Sequence, residues 1–212
     1  FKTTNNGESW TEANSGLTSL DVSSLAVNDS TLYAGTILKG VFSSTDNGNS
    51  WISLNNDSSY ISIYCLAVRD SNIFAGTAAG ILHSTNNGAS WIEINNGPIY
   101  WISSIIIKDN YIFAGMNGCG IYRSSDNGES WIEINSGITN ECVLSLSTNG
   151  KNIYAGTSGN GVYWSSNEGE SWKQINYGLY GITVSCCKTQ NKNIFVGTSA
   201  GGVFVSTNNG NH

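Results

Sequence analysis

The sequence predicts an all-β protein built from one repeated unit, and three observations carry the prediction. An octet recurs along the 212 residues, as TTNNGESW (3–10), STDNGNSW (44–51), STNNGASW (84–91), SSDNGESW (124–131) and SSNEGESW (165–172), with a partial sixth copy, STNNGNH, from Ser206. Its tryptophans, Trp10, Trp51, Trp91, Trp131 and Trp172, lie 41, 40, 40 and 41 residues apart. A fixed period of about 40 marks a repeat architecture. Finally, the stretch between octets breaks into short β-branched and aromatic runs bounded by Gly, Asn, Asp and Ser, which is strand-and-turn composition.

The first run of each unit is apolar or small: Val22 to Val27, Ile63 to Val68, Ile102 to Ile107, Val143 to Ser147 and Val184 to Lys188. Such a run reads as a strand buried on both faces, and so the innermost. The second is LYAGT, IFAGT, IFAGM, IYAGT and IFVGT, from Leu32, Ile73, Ile112, Ile153 and Ile194. The third is GVFSS, GILHS, GIYRS, GVYWS and GVFVS, from Gly40, Gly80, Gly120, Gly161 and Gly202. The fourth follows the octet and alternates: in WIEIN, Ile92 and Ile94 share one face, and Trp91, Glu93 and Asn95 the other. The linkers are too short for crossover helices, so neighbours pair antiparallel. A four-stranded antiparallel unit repeated every 40 or so residues reads as one blade of a β-propeller.

The octet itself reads as a turn. Glycine reaches positive φ without cost, so Asn-Gly between two strands is a strong hairpin signal. Asp46 and Asp126, or the asparagines Asn5, Asn86, Asn167 and Asn208 in their place, are expected to accept hydrogen bonds from backbone N–H groups two residues on. Gly48, Gly88, Gly128 and Gly169 complete the turn, and each tryptophan is expected to cover the seam between blades. The pattern Ser-x-Asp-x-Gly-x-Ser/Thr-Trp resembles the Asp-box, or BNR repeat, of sialidases, sortilin-type receptors and photosystem II assembly factors. The fuller unit resembles tandem repeats of secreted and surface proteins of bacteria. The resemblance covers essentially the whole chain and implies a propeller from an extracellular or cell-surface protein. It does not imply one activity, because families sharing the motif do unrelated things.

Five copies of the first three strands are present, and residues 1–212 read as a single propeller domain of five blades. The last blade lacks a fourth strand, whereas Ser9 to Leu17 is a fourth strand without a blade. Pairing of the two would close the ring and remove both open edges. Residues 1–8 and 204–211 duplicate one element, so one copy is expected to be displaced, or strands to be exchanged between chains of an otherwise monomeric protein. The alternative is a piece of a larger propeller.

Charged residues make up 11% and the net charge is −6. Only Arg69 and Arg123 are arginines, so the clustered cations of a nucleic-acid site are missing. No apolar run reaches the length of a membrane span. Five cysteines without a CxxC pair, and only His83 and His212 as histidines, argue against a metal site, and no cofactor is expected. Cys65, Cys186 and Cys187 fall on first strands and read as buried thiols. Cys119 and Cys142 fall in neighbouring loops, where a disulfide suits an exported protein.

Catalysis finds little support. Two arginines cannot form the carboxylate-binding trio of sialidase-like enzymes. Most carboxylates sit in octets or turns (Glu8, Asp46, Asp126, Glu129, Glu168, Glu170), and Glu93 and Glu133 repeat on outer strands. Binding is better supported. The loops joining blades break the repeat and bring Tyr60, Tyr100, Trp101, Tyr177 and Tyr180 toward one face, with Asn117, Ser158, Asn160 and Lys39 nearby. Exposed aromatics suit carbohydrate stacking or protein contact, and they equally suit covering the core. A non-catalytic module for a protein or glycan ligand is the leading reading, and a purely structural scaffold is the alternative.

Overall fold

The computed structural model describes residues 1–55, 61–94, 96–139, 142–179 and 183–210, and all their regular structure is β. Five antiparallel sheets follow the chain. The first holds β1 (Val22–Asn28), β2 (Thr31–Thr36), β3 (Gly40–Ser44) and β4 (Ile52–Ser53). The second holds β5 (Cys65–Arg69), β6 (Asn72–Thr77), β7 (Gly80–Ser84) and β8 (Ile92–Ile94). The third holds β9 (Ile102–Lys108), β10 (Tyr111–Met116), β11 (Gly120–Ser124) and β12 (Ile132–Glu133). The fourth holds β13 (Val143–Asn149), β14 (Asn152–Thr157), β15 (Gly161–Ser165) and β16 (Lys173–Gln174). The fifth holds β17 (Val184–Gln190), β18 (Asn193–Thr198) and β19 (Gly202–Ser206). The chain divides into two compact units, Phe1–Glu93 and Ile94–His212.

Within each unit the core lies between successive sheets. In the first unit Tyr33 and Val41 of one sheet pack on Leu66, Ile73 and Ala75 of the next, with Ile63 between them. In the second unit Phe113 and Ile121 meet Val143, Leu146 and Ile153, while Tyr154 and Val162 meet Val184, Cys187, Ile194 and Val196. In the first four sheets burial is deeper in the second and third strands than in the first, which was expected to be innermost. The first strand is an edge strand, and only its positions facing a neighbouring sheet are covered.

First strands are also joined side by side through small hydroxyls. A register shift recurs near the start of β1, β9, β13 and β17. At this bulge the Ser23 hydroxyl bonds the carbonyls of Gly35 and Ile63, and Ser103 bonds those of Gly115 and Val143. One residue on, Ser104 Oγ accepts the Leu146 N–H at 3.0 Å and Ser145 Oγ accepts the Cys187 N–H at 2.9 Å. A bulge re-aims one side chain, here toward the adjoining sheet.

Two expectations need correction. The outer strand's two isoleucines do not share a fate: Ile92 and Ile132 are exposed while Ile94 and Ile134 are buried. Ile134 is covered because the following octet sits on it, and Ile132 lies beyond that cover. Cys65 and Cys187 are buried, but Cys186 is exposed, because β17 belongs to the last sheet and no described strand lies beyond it. The last sheet has three described strands, and Thr11 pairs with Lys2 through bonds of 2.9 Å in both directions.

Candidate functional site

The octet is a closed hydrogen-bonded turn. Ser44 Oγ accepts the Gly48 N–H at 2.9 Å and donates to Asp46 Oδ1 at 2.8 Å. Asp46 accepts the Ser50 N–H at 2.9 Å and the Ser50 hydroxyl at 2.6 Å. The acceptor therefore reaches four residues on, not two. Its span leaves room for Asn47 and Gly48 at φ 58° and 78°, the left-handed region that Asn and Gly tolerate best. Asp126 repeats the arrangement with Ser124 and Ser130. In Asn86 and Asn167 the oxygen still accepts the backbone N–H, and the amide donates to Ser90 and Ser171 instead. Those serine hydrogen bonds hold the Asp46 and Asp126 carboxyls low, at about 2. Both carboxylates are engaged inside their own turns.

Three of the tryptophans, Trp51, Trp91 and Trp172, are bonded to the preceding repeat. The Trp51 indole N–H donates to Ala13 O at 2.9 Å, Trp91 to Leu54 O at 3.0 Å and Trp172 to Ile134 O at 2.7 Å. The backbone N–H groups of Trp51 and Trp172 bond Ser15 O and Ser136 O, both at 2.8 Å. Gly16 and Gly137 permit this, since a Cβ there would lie 2.1 and 2.2 Å from the Trp51 and Trp172 carbonyl oxygens. Trp131 departs from the pattern: its indole donates to Gly128 O of its own turn at 3.1 Å, and its ring covers Gly97.

The loop rim is held by a set of asparagines that the sequence reading passed over. Asn55, Asn135 and Asn176 end their outer strands. Their side-chain oxygens accept the N–H of Val41, Ile121 and Val162 at 3.1, 2.7 and 2.8 Å. Their amides donate to the carbonyls of Lys39, Cys119 and Asn160. The signal was present, as an Asn four residues after the hairpin turn's tryptophan in each repeat. A second stitch ties the loop after each second strand to the loop before the first strand: Ile37 N–H to Asp21 O, Asn117 to Trp101 O, Ser158 to Cys142 O and Ser199 to Thr183 O, at 2.9 to 3.0 Å.

These stitches locate the expected binding residues. Tyr60 and Tyr180 lie outside the described residues. Trp101 is 44% exposed and Tyr100 57%, on a backbone fixed by the Asn117 bond. Asn117 is bridged to Cys142, so Trp101, Asn117 and Cys142 form one continuous rim in the second unit. Cys119 follows two residues after Asn117, and both cysteines are half-buried thiols. Asn160 donates to Thr139 Oγ1 at 3.2 Å, which pairs with the Tyr163 hydroxyl at 2.6 Å. Tyr177 is 81% exposed and lies elsewhere, at the edge of an apolar cavity of about 190 Å³ beside β19.

The remaining polar groups are structural. His83 is buried against Phe74 with ring centroids 4.2 Å apart, and its Nε2 lies 3.0 Å from Asn72 Oδ1. Burial lowers its pKa. Arg123 donates to Glu168 O at 2.7 Å and lies over the Tyr111 ring. Among the described residues no group of three His, Cys, Asp or Glu could hold a metal ion, and no helix is long and apolar enough to cross a membrane.

Antiparallel sheets repeated at this period, joined by the same hydrogen-bonded octet turn, define the β-propeller class. More particularly, residues 1–112 match the profile of the DUF6242 beta propeller domain, and the chain belongs to that family. No curated protein sequence matches it. Solved structures agree on the fold. YCF48 bound to D1 peptide aligns with a TM-score of 0.71 at 16% identity, over 92% of this chain and 68% of that one. An ancestral GH74 enzyme gives 0.75 at 24% identity, over 95% of this chain and 32% of that one. The extracellular domain of the one-component system BT4673 from B. thetaiotaomicron gives 0.71 at 17%, over 87% and 26%. The chain thus spans about two thirds of the first and a third or less of the other two.

Proposed function

We propose that the chain is a non-catalytic recognition module of an exported or cell-surface protein, and that it binds a protein or glycan at the loop rim around Trp101. The observation that carries this reading is the pair Tyr100 and Trp101, each about half exposed on a backbone that the Asn117 hydrogen bond and the Asn117–Cys142 bridge hold in place. Rigid exposed aromatics bind at low entropic cost. Asn117 and Asn160 would supply polar contacts, and a Cys119–Cys142 disulfide would tie the rim further outside the cell. A solved neighbour is a peptide complex and another is an extracellular domain, which supports the same direction. The engagement of Asp46 and Asp126 within their turns speaks against the paired carboxylates of a sialidase-like hydrolase.

The test is a glycan array and a peptide library probed with the wild-type chain and Trp101→Ala. Binding that falls at least about tenfold in the variant is expected for an aromatic hot spot. Binding indifferent to Trp101, or none at all, would replace this reading with that of a scaffold. The scaffold reading has its own support, since the octets, the asparagine braces and the bulge serines all spend their polar groups internally.

A further inference from the structure

The aromatic in the middle of each second strand faces one residue of the third strand. In the second, third and fourth sheets the pairs are Phe74 with His83, Phe113 with Arg123 and Tyr154 with Trp164. Long side chains on the third strand occupy the space beside that aromatic. His83 stacks on Phe74 and reaches Asn72. Arg123 lies over Tyr111 and donates to Glu168 O of the next octet at 2.7 Å. In the first sheet the pair is Tyr33 with Ser43. Serine is too short for either task, and a polar cavity of about 500 Å³ stands there, lined by Tyr33, Ser43, Thr31 and Asn87 among others. Thr31 is the counterpart of Asn72 and Tyr111, and Asn87 is the counterpart of Glu168.

The walls of this cavity are fixed, and one of its groups lacks a partner. Asn28 Nδ2 donates to Asp70 O at 2.9 Å, and the Asn87 N–H to Ser71 O at 3.0 Å. Tyr33 is 3% exposed, and its hydroxyl has no hydrogen-bond partner among the described residues. A buried hydroxyl is costly until something bonds it. Asp29 and Asp70 also line the cavity, and no lysine or arginine does. The volume falls within the roughly 300–1,000 Å³ of small-molecule sites. We propose that the cavity binds a guanidinium group, held as the Arg123 guanidinium is held in the third sheet. The planar N–H fork meets a carboxylate of Asp29 or Asp70, and the Tyr33 hydroxyl and the Asn87 carbonyl are further acceptors. An anionic ligand would meet two carboxylates and no cation, and a neutral sugar would draw nothing from their charge. The site shares no residue with the rim at Trp101 and stands independently of it.

Two-dimensional NMR titration of the full chain with agmatine, to about 10 mM at low salt, reads dissociation constants into the millimolar range. Shifts centred on the amides of Thr31, Ser43, Ser71 and Asn87 are expected, and xylose at the same concentration is expected to give none. Ser43→Arg puts into the first sheet the residue that fills the third, and is expected to abolish the shifts. Ser43→His, after His83, is a second filler with the same expectation, and circular dichroism melts verify that each variant folds. Tyr33→Phe copies the equivalent Phe74 and is expected to weaken binding about three- to tenfold, for one lost hydrogen bond. Asp29→Asn with Asp70→Asn is expected to weaken it at least about tenfold. A blocked Gly-Arg-Gly peptide separates two sources of the group: tighter binding than agmatine assigns the site to an arginine side chain of a protein partner, weaker binding to a free small molecule. No shifts with either probe overturn the proposal. So do shifts that both Ser43 variants leave in place, or xylose binding equal to that of agmatine.

Discussion

Val41, Ile81, Ile121 and Val162 hold the second position of the third strand in their sheets and are at most 2% exposed; Val203 holds it in the last sheet and is 77% exposed. The sequence is nearly the same at all five positions, and so is the strand. What differs is whether that face is covered. Phe195, Val205 and Cys186 are exposed in the same sheet for the same reason. A repeat of this kind is thus half an interface, and its burial is set by its neighbour rather than by its own residues. The contrast between covered and uncovered positions can be put to measurement at matched residues.

The largest effect is expected at the tryptophans themselves. Trp172→Ala removes a buried indole and its bond to Ile134, which should cost about 3–5 kcal/mol in urea unfolding. Trp10→Ala in dilute, single-chain protein should cost less than about 0.5 kcal/mol, as for a surface change. Equal losses at the two sites would show that Trp10 is covered in solution. Next come the glycines. Gly137→Ala puts a Cβ 2.2 Å from the Trp172 carbonyl at φ 92° and should cost about 1–3 kcal/mol more than Gly178→Ala, which carries only the strain of φ 80°. Thermal melts of the two variants compare them directly.

The repeat period, the strand content and the octet turn were legible in the sequence because they are local. A strand of five residues and an Asn-Gly turn declare themselves within ten positions. The order of strands within a sheet followed from linker length alone. Burial was less legible. Ile132 and Ile134 differ by what the next repeat lays over them, and Cys186 by the strands packed against its sheet, so no window around those residues contains the answer. The rim was half legible: loop aromatics stood out because they break the repeat, whereas Asn55, Asn135 and Asn176 went unread because they keep it. Their task, spanning the two residues flanking a glycine at positive φ, exists only once the third strand turns back past them.

Titration separates the repeats by smaller amounts. His83 stands where other third strands carry Ser43, Arg123, Trp164 and Val205, and burial depresses its pKa below the ordinary 6.5. A depressed histidine contributes stability that is present above the unfolded value and is lost as pH falls below it. The urea midpoint should therefore drop between pH 7.5 and 5, and His83→Gln should flatten that drop. A drop that persists in the variant would assign it to another group.

The Asp and Asn forms of the octet give the finest comparison. Both close the same turn, but only the Asp form titrates. Asp46 and Asp126 are held at about 2 by their serines, against an ordinary value of 3.8. Their contribution is complete above about 4 and is lost as pH falls through about 2, because protonation removes an acceptor that Ser50 and Ser130 use. Both groups are exposed, so solvent screening keeps the effect small. The double variant Asp46→Asn, Asp126→Asn should match the wild type at pH 7, since Asn86 and Asn167 already close equivalent turns, and should lose less stability than the wild type between pH 4 and 2. Acid unfolding curves of the two proteins decide it: parallel curves across that window would mean that the carboxylates contribute no more than the amides they replace.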